Sequence, residues 1–110
     1  MEVWNLSVDF VKGIYEVTMA LPKSEAFGLT SQLRRAAVSL PSNIAEGAAR
    51  SSAADRRRFY QIARSSLVEI DTQPAIATRL NYLDEEHAIE LAKKMNHIFA
   101  KLSRLIQSTA

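Results

Sequence analysis

Three observations on the sequence predict an all-α fold, an antiparallel up-down-up-down four-helix bundle. Apolar residues recur at intervals of three and four in four separate segments, the period of a helix with one buried face. Only three glycines and three prolines interrupt 110 residues, so the chain is short of loop formers. The connections between the segments are short, which sets successive helices side by side and antiparallel. The length predicts one domain, residues 1–110, large enough to bury a real core.

The first helix is expected over about residues 3–21. Val3, Phe10 and Val17 recur every seven residues, with Ile14 and Leu21 on the same stripe. Pro22 stops it, because a proline disfavours helical backbone in the residue before it. The segment Pro22 to Leu29 reads as a connection with Gly28 as its flexible point. A second helix follows over about 31–49, with the Thr30 hydroxyl as its expected cap. Its stripe is Leu33, Ala37, Leu40, Ile44 and Ala48. Pro41 falls inside that stripe, but the spacing continues in phase beyond it, so a bend near Ala37 to Leu40 is expected rather than an end. Gly47 costs about 1 kcal/mol relative to alanine in a helix interior, which points to a tight helix–helix contact there.

The third helix is expected over about 53–80. Ser52 and Asp55 have the spacing of a capping box, and Asn81 suits a left-handed C-terminal cap. Phe59, Ile62, Ala63, Ser66, Ile70, Gln73, Ala77 and Leu80 make one face. Tyr60, Leu67 and Pro74 recur every seven residues on another, and Pro74 implies a second bend. The fourth helix, about 85–107, opens at Asp84 with Glu85 and Glu86 in its first turn, where acids suit the helix dipole. Its stripe is Leu91, Met95, Ile98, Leu102 and Leu105.

The composition excludes several classes of function. Without cysteine there is no disulfide framework, thiolate metal site or cysteine nucleophile, and a reducing cytoplasm is the expected compartment. The N-terminus carries Glu2 and Asp9 and no basic stretch, unlike a signal peptide. No apolar run reaches the ~20 residues of a membrane span. His87 and His97 point about 80° apart on one helix and have no ligand partner at metal-site spacing. Phosphate-binding glycine loops and nucleophile elbows are missing too. No catalytic residue, metal or cofactor is therefore expected, and the protein is not expected to be an enzyme.

Two polar patterns carry the remaining information. Arg35, Ser39, Asn43 and Glu46 share a face of the second helix, and Arg58, Ser65, Glu69 and Thr72 form a line on the third. One reading is a small cleft lined by Arg35, Asn43, Glu46 and Glu69. The favoured reading is a structural polar network of Arg35, Ser39, Asn43, Glu46, Ser66 and Glu69. In it Arg35 pairs with a carboxylate between helices, and Asn43 and the serines satisfy backbone opened by Pro41. The second pattern is charge. From Arg34 to Arg64 seven arginines stand against two acids, whereas Asp84 to Glu90 holds four acids and no Lys or Arg. Arg34, Arg50, Arg56, Arg57, Arg58 and Arg64 are the candidates for a patch that grips the phosphate backbone of RNA or DNA. The bland alternative is a solvated, salt-bridged face in a structural or protein-interaction module. Trp4, Tyr15, Tyr60, Leu67 and Tyr82 are candidates for a second apolar surface, which implies a homo-oligomer.

The run Arg35-Ala36 with Ser39-x-Pro-Ser-Asn-Ile-Ala-Glu-Gly to Gly47 resembles the 23S rRNA intervening-sequence protein family, usually called four helix bundle proteins. Phe59, Ala63, Ser65-Ser66-Leu67 and Glu69 extend the resemblance, which spans roughly Phe10 to Leu105. It implies an antiparallel four-helix bundle, assembly in rings of five, encoding within insertions in bacterial rRNA genes for some members, and no established enzymatic activity. A related branch, the accessory proteins of diversity-generating retroelements, implies nucleic-acid binding through a basic surface. Pro74 departs from the aliphatic residue usual at that position, and Asn81-Tyr82 replaces the usual Gly-Tyr.

Overall fold

The computed structural model describes residues 1–109 and contains four long helices in the predicted order. They are α1 (Glu2–Thr18), α2 (Leu29–Ala48), α3 (Ala53–Arg79) and α4 (Glu85–Ser108), with a single 3-10 turn at Lys23–Glu25. Successive helices pack against each other and α4 packs against α1. The backbones of diagonal helices make no close approach, so the core lies along the axis of a closed four-membered ring. The molecule measures 44 × 24 × 19 Å.

The core is most of the stripes read from the sequence, turned inward, whereas Ala48 is exposed and Val17 and Leu105 are half-buried. Its members include Phe10 and Ile14 from α1, Leu40 and Ile44 from α2, Ile70 from α3, and Ile98 and Leu102 from α4. Burying each such side chain stabilises the fold by about 1.5–3 kcal/mol. Two hydroxyls sit in this core without cost in lost bonds. Ser7 donates to the Val3 carbonyl at 2.7 Å and Thr18 to that of Ile14 at 2.7 Å, each one turn back. No helix among the described residues is long and apolar enough to cross a membrane.

The helix ends differ from expectation in two places. The first helix stops at Thr18, not Leu21, because the chain tightens into three-residue hydrogen bonds, Ala20 to Val17 and Leu21 to Thr18, before reaching Pro22. The second helix starts at Leu29 and Thr30 is not its cap. The carboxylate of Glu25 takes the Leu29 amide at 3.1 Å instead, and Gly28 stands at the N-cap position. A cap from four residues upstream carries no S/T-x-x-E signature, so the sequence hid it.

The other ends are as expected. Ser52 accepts from the Asp55 amide at 3.1 Å. Asn81 adopts φ 62°, with Tyr82 N–H donating to the Ala77 carbonyl and Asn81 N–H to Thr78, a Schellman closure. Asp84 accepts from the His87 amide at 2.8 Å. Both internal prolines are absorbed, since α2 runs unbroken through Pro41 and α3 through Pro74. On α3 the two apolar faces merge. Tyr60, Leu67 and Pro74 join Ala63, Ile70 and Ala77 in the core, and Ile62 and Leu80 are left exposed. Tyr60 and Leu67 therefore drop out of the second apolar surface, and Tyr82 is half-buried; Trp4 and Tyr15 do remain exposed.

Candidate nucleic-acid interface

The up-down topology brings the C-terminus of α2, the N-termini of α1 and α3 and the C-terminus of α4 to one end of the bundle. Arg50 lies on the tight α2–α3 connection and Arg56, Arg57 and Arg58 in the first turns of α3 at that end, and each makes contacts within the protein. Arg56 donates to the Arg50 and Ser51 carbonyls at 3.3 and 3.0 Å, stitching the turn. Arg57 donates to the Thr109 carbonyl at 2.7 Å, which ties the start of α3 to the end of α4. The guanidiniums of Arg50 and Arg58 both lie over the Phe59 ring, 4.7 and 5.1 Å from its centre. Arg50 also pairs with Glu46 at 2.8 Å.

A guanidinium has five N–H donors, and these contacts occupy at most two of them. Arg50 and Arg58 are exposed and Arg56 and Arg57 half-buried, and guanidinium donors left unused within the protein suit phosphate oxygens. Arg64 stands on the shoulder of this end, seven residues along α3 from Arg57. It donates to Ser103 of α4 at 3.1 Å and lies against Phe99.

Arg34 does not belong to the patch. It sits at the opposite end of α2, about 24 Å of helix from Arg50. Its Nε donates to Thr18 Oγ1 at 2.8 Å and its ring neighbour is Tyr15, 4.5 Å away, so it closes the C-terminus of α1. The sequence placed it with the others because spacing along a chain says nothing of which end of a hairpin a residue reaches. Conversely, the sequence reading omitted Lys101 and Arg104. Both lie in the last turns of α4 and so share the arginine end, where Lys101 pairs with Glu2 at 2.9 Å. That pairing and the nearby Arg104 hold the Glu2 carboxyl below its ordinary range. The up-down arrangement was the signal that could have found them.

The polar network also differs from expectation. Glu46 pairs outward with Arg50, and Arg35 meets no carboxylate, touching only Ser31 Oγ at 3.5 Å. Asn43 donates to the Ser39 carbonyl at 2.8 Å, so its amide is spent within its own helix. What crosses the α2–α3 seam is the Ser39–Ser66 hydroxyl pair and a longer Gln73–Gln32 contact at 3.4 Å. Glu69 has no ion-pair partner among the described residues. Arg35 and Glu46 lie some three turns apart on α2, too far to meet on one helix, and the partner within reach, Arg50, lies one turn away.

At the opposite end Asp84 caps α4 and its Oδ1 also meets His87 Nδ1 at 2.6 Å. The hydrogen bond from the His87 amide, then that from its ring, holds the Asp84 carboxyl below its usual range, and the same carboxylate pushes the His87 imidazole up. This end carries Glu25, Asp84, Glu85 and Glu86 together with Lys23, Arg34 and Arg79, so both signs of charge are present there.

The family model described as 23S rRNA-intervening sequence protein matches residues 1–104. Among solved structures, a protein of unknown function from the S23 ribosomal protein family of Bacteroides thetaiotaomicron superposes with a TM-score of 0.88 at 22% identity, covering 96% of this chain and 99% of that one. No curated protein matches.

Proposed function

From the premise that this chain belongs to the 23S rRNA-intervening sequence protein family, we propose that it is a non-enzymatic, cytoplasmic, self-associating bundle that binds the phosphate backbone of RNA or DNA at its arginine end. The observation that carries the reading is the gathering of Arg50 on the α2–α3 connection and Arg56, Arg57 and Arg58 at the start of α3 at one end of the bundle, the end that also holds Lys101 and Arg104. These side chains are anchored by carbonyls and by Phe59, and Arg50 and Arg58 are exposed. Such contacts read charge and spacing, not base sequence, so the proposal is for binding without strong sequence preference.

The self-association half rests on two apolar grooves on opposite sides of the ring. One, between α1 and α2, is lined by Trp4, Val8, Val11, Val38, Pro41 and Ala45, with Ser42 as its polar member. The other, between α3 and α4, has Val68, Met95 and Phe99 over the buried Leu67, with Asp71 and Asn96 beside them. Two patches at opposite faces suit a head-to-tail contact that closes into a ring, and a ring of five accords with the resemblance. These grooves also favour the second reading, an interaction module in which the arginines only solubilise.

The two readings separate in an anisotropy titration of labelled RNA and DNA against salt. Affinity is expected to fall log-linearly with salt, and Arg56→Gln with Arg58→Gln to reduce the slope by about 1–2. Arg34→Gln is expected to leave the slope unchanged. Failure to bind either polymer at low salt overturns the nucleic-acid reading.

A further inference from the structure

Two arginines reach one aromatic ring from different elements. Arg50 is on the α2–α3 connection and Arg58 in the second turn of α3, yet both guanidiniums lie over Phe59, 4.7 and 5.1 Å from its centre. The ring draws two like charges together, and their repulsion favours an anion beside them. The protein supplies one. Glu46, one turn back on α2, brings Oε2 to 2.8 Å from Arg50 Nη2. It is the only carboxylate paired with an arginine among the described residues. Its place relative to the ring is fixed from the next residue, because Gly47 lets α2 close directly onto Phe59 and Tyr60. The ion pair itself is open to solvent, with the Arg50 side chain 44% and that of Glu46 57% exposed. A pair this exposed contributes little to stability, so another anion can replace it at small cost.

We propose that Glu46 is an internal stand-in for phosphate. In the free protein its carboxylate occupies the edge of Arg50 that a backbone phosphate takes in the complex, where Arg50 and Arg58 then share that phosphate beside Phe59. The proposal rests on the nucleic-acid reading and adds to it the regulation of the same site. Carboxylate and phosphate both offer paired oxygens to a guanidinium, so Arg50 exchanges one partner for the other without being left unpaired. Glu46 moves into solvent but stays near the bound strand, and its charge opposes that strand. Glu46 thus acts as a brake on binding, set against Arg50 in particular.

The test is an anisotropy titration of a labelled RNA oligonucleotide at low salt with the parent protein, Glu46→Gln, Arg50→Gln and the double variant. Glu46→Gln is expected to bind roughly two- to fivefold tighter than the parent, the fold-change that matches an exposed ion pair. That gain is expected to vanish in the Arg50→Gln background, because the coupling runs through this one guanidinium. Glu86→Gln makes the same change of net charge at the opposite end and is expected to leave affinity unchanged. All three positions are exposed, so the variants keep the core intact. No binding by either the parent or Glu46→Gln overturns this proposal together with the nucleic-acid reading. Binding by the parent with no gain in Glu46→Gln, an equal gain in Glu86→Gln, or a gain that persists without Arg50 overturns this proposal alone.

Discussion

At the scale of single residues, what decides a role is the company a side chain keeps, and Asp84 with His87 is the plainest case. One carboxylate oxygen takes both the backbone amide and the ring nitrogen of His87, so the cap and the histidine titrate together. The imidazole is raised above its ordinary value of 6.5, so the stability it adds is full below that value and is lost as pH rises through the folded-state midpoint. The carboxyl is depressed, so its contribution is present above the ordinary 3.8 and is lost as pH falls through its lower folded value. An NMR titration of His87 should therefore give a midpoint above 6.5, and Asp84→Ala should return it toward that value while removing the N-cap of α4. A midpoint at or below 6.5 in the parent protein would contradict the pairing. The arginines teach the same lesson. Arg34 and Arg50 look alike in the sequence, yet one closes a helix end beside Tyr15 and the other stands on the charged turn.

At the scale of helices, the two helix-interior glycines separate packing from propensity. A methyl group on Gly47 would come within 2.7 Å of the Tyr60 ring and 3.1 Å of Phe59 Cβ, so glycine lets α2 and α3 approach closely. On Gly13 of α1 it would meet nothing nearer than Lys94 Nζ at 4.0 Å. Overpacking costs about 1–3 kcal/mol, more than the roughly 1 kcal/mol that alanine gains in helix propensity. Thermal denaturation should thus show Gly47→Ala destabilised by up to about 2 kcal/mol and Gly13→Ala stabilised by about 0.5–1 kcal/mol. The same sign for both substitutions would refute the packing account. Periodicity and cap residues made most of these elements legible, including the continuation of α2 past Pro41 and the left-handed Asn81. The start of α2 was not legible, because Glu25 reaches the Leu29 amide from outside any local capping pattern.

At the scale of the molecule, a 44 Å bundle gathers arginines around the start of α3 at one end and carries a groove on each of two opposite faces. If those grooves join copies, light scattering should report a mass well above the 12.3 kDa monomer, and Val38→Glu with Val8→Glu should reduce it to the monomer without loss of helix. A monomeric parent protein at micromolar concentration would sink that expectation. The sequence by itself determined the four helices, their antiparallel order and the residues of the core, because apolar period and capping chemistry are local properties of the chain. It also marked the charge asymmetry and the tight site at Gly47. Only the tertiary structure decided which polar groups meet. Glu46 turned to Arg50 one turn away, Asn43 was spent on its own helix, and Arg34 left the patch for the end of α1. Lys101 and Arg104 joined that patch. The physical reason is that a helix face lists many possible partners, whereas a single interhelical register, set by burial of the apolar stripes, selects among them.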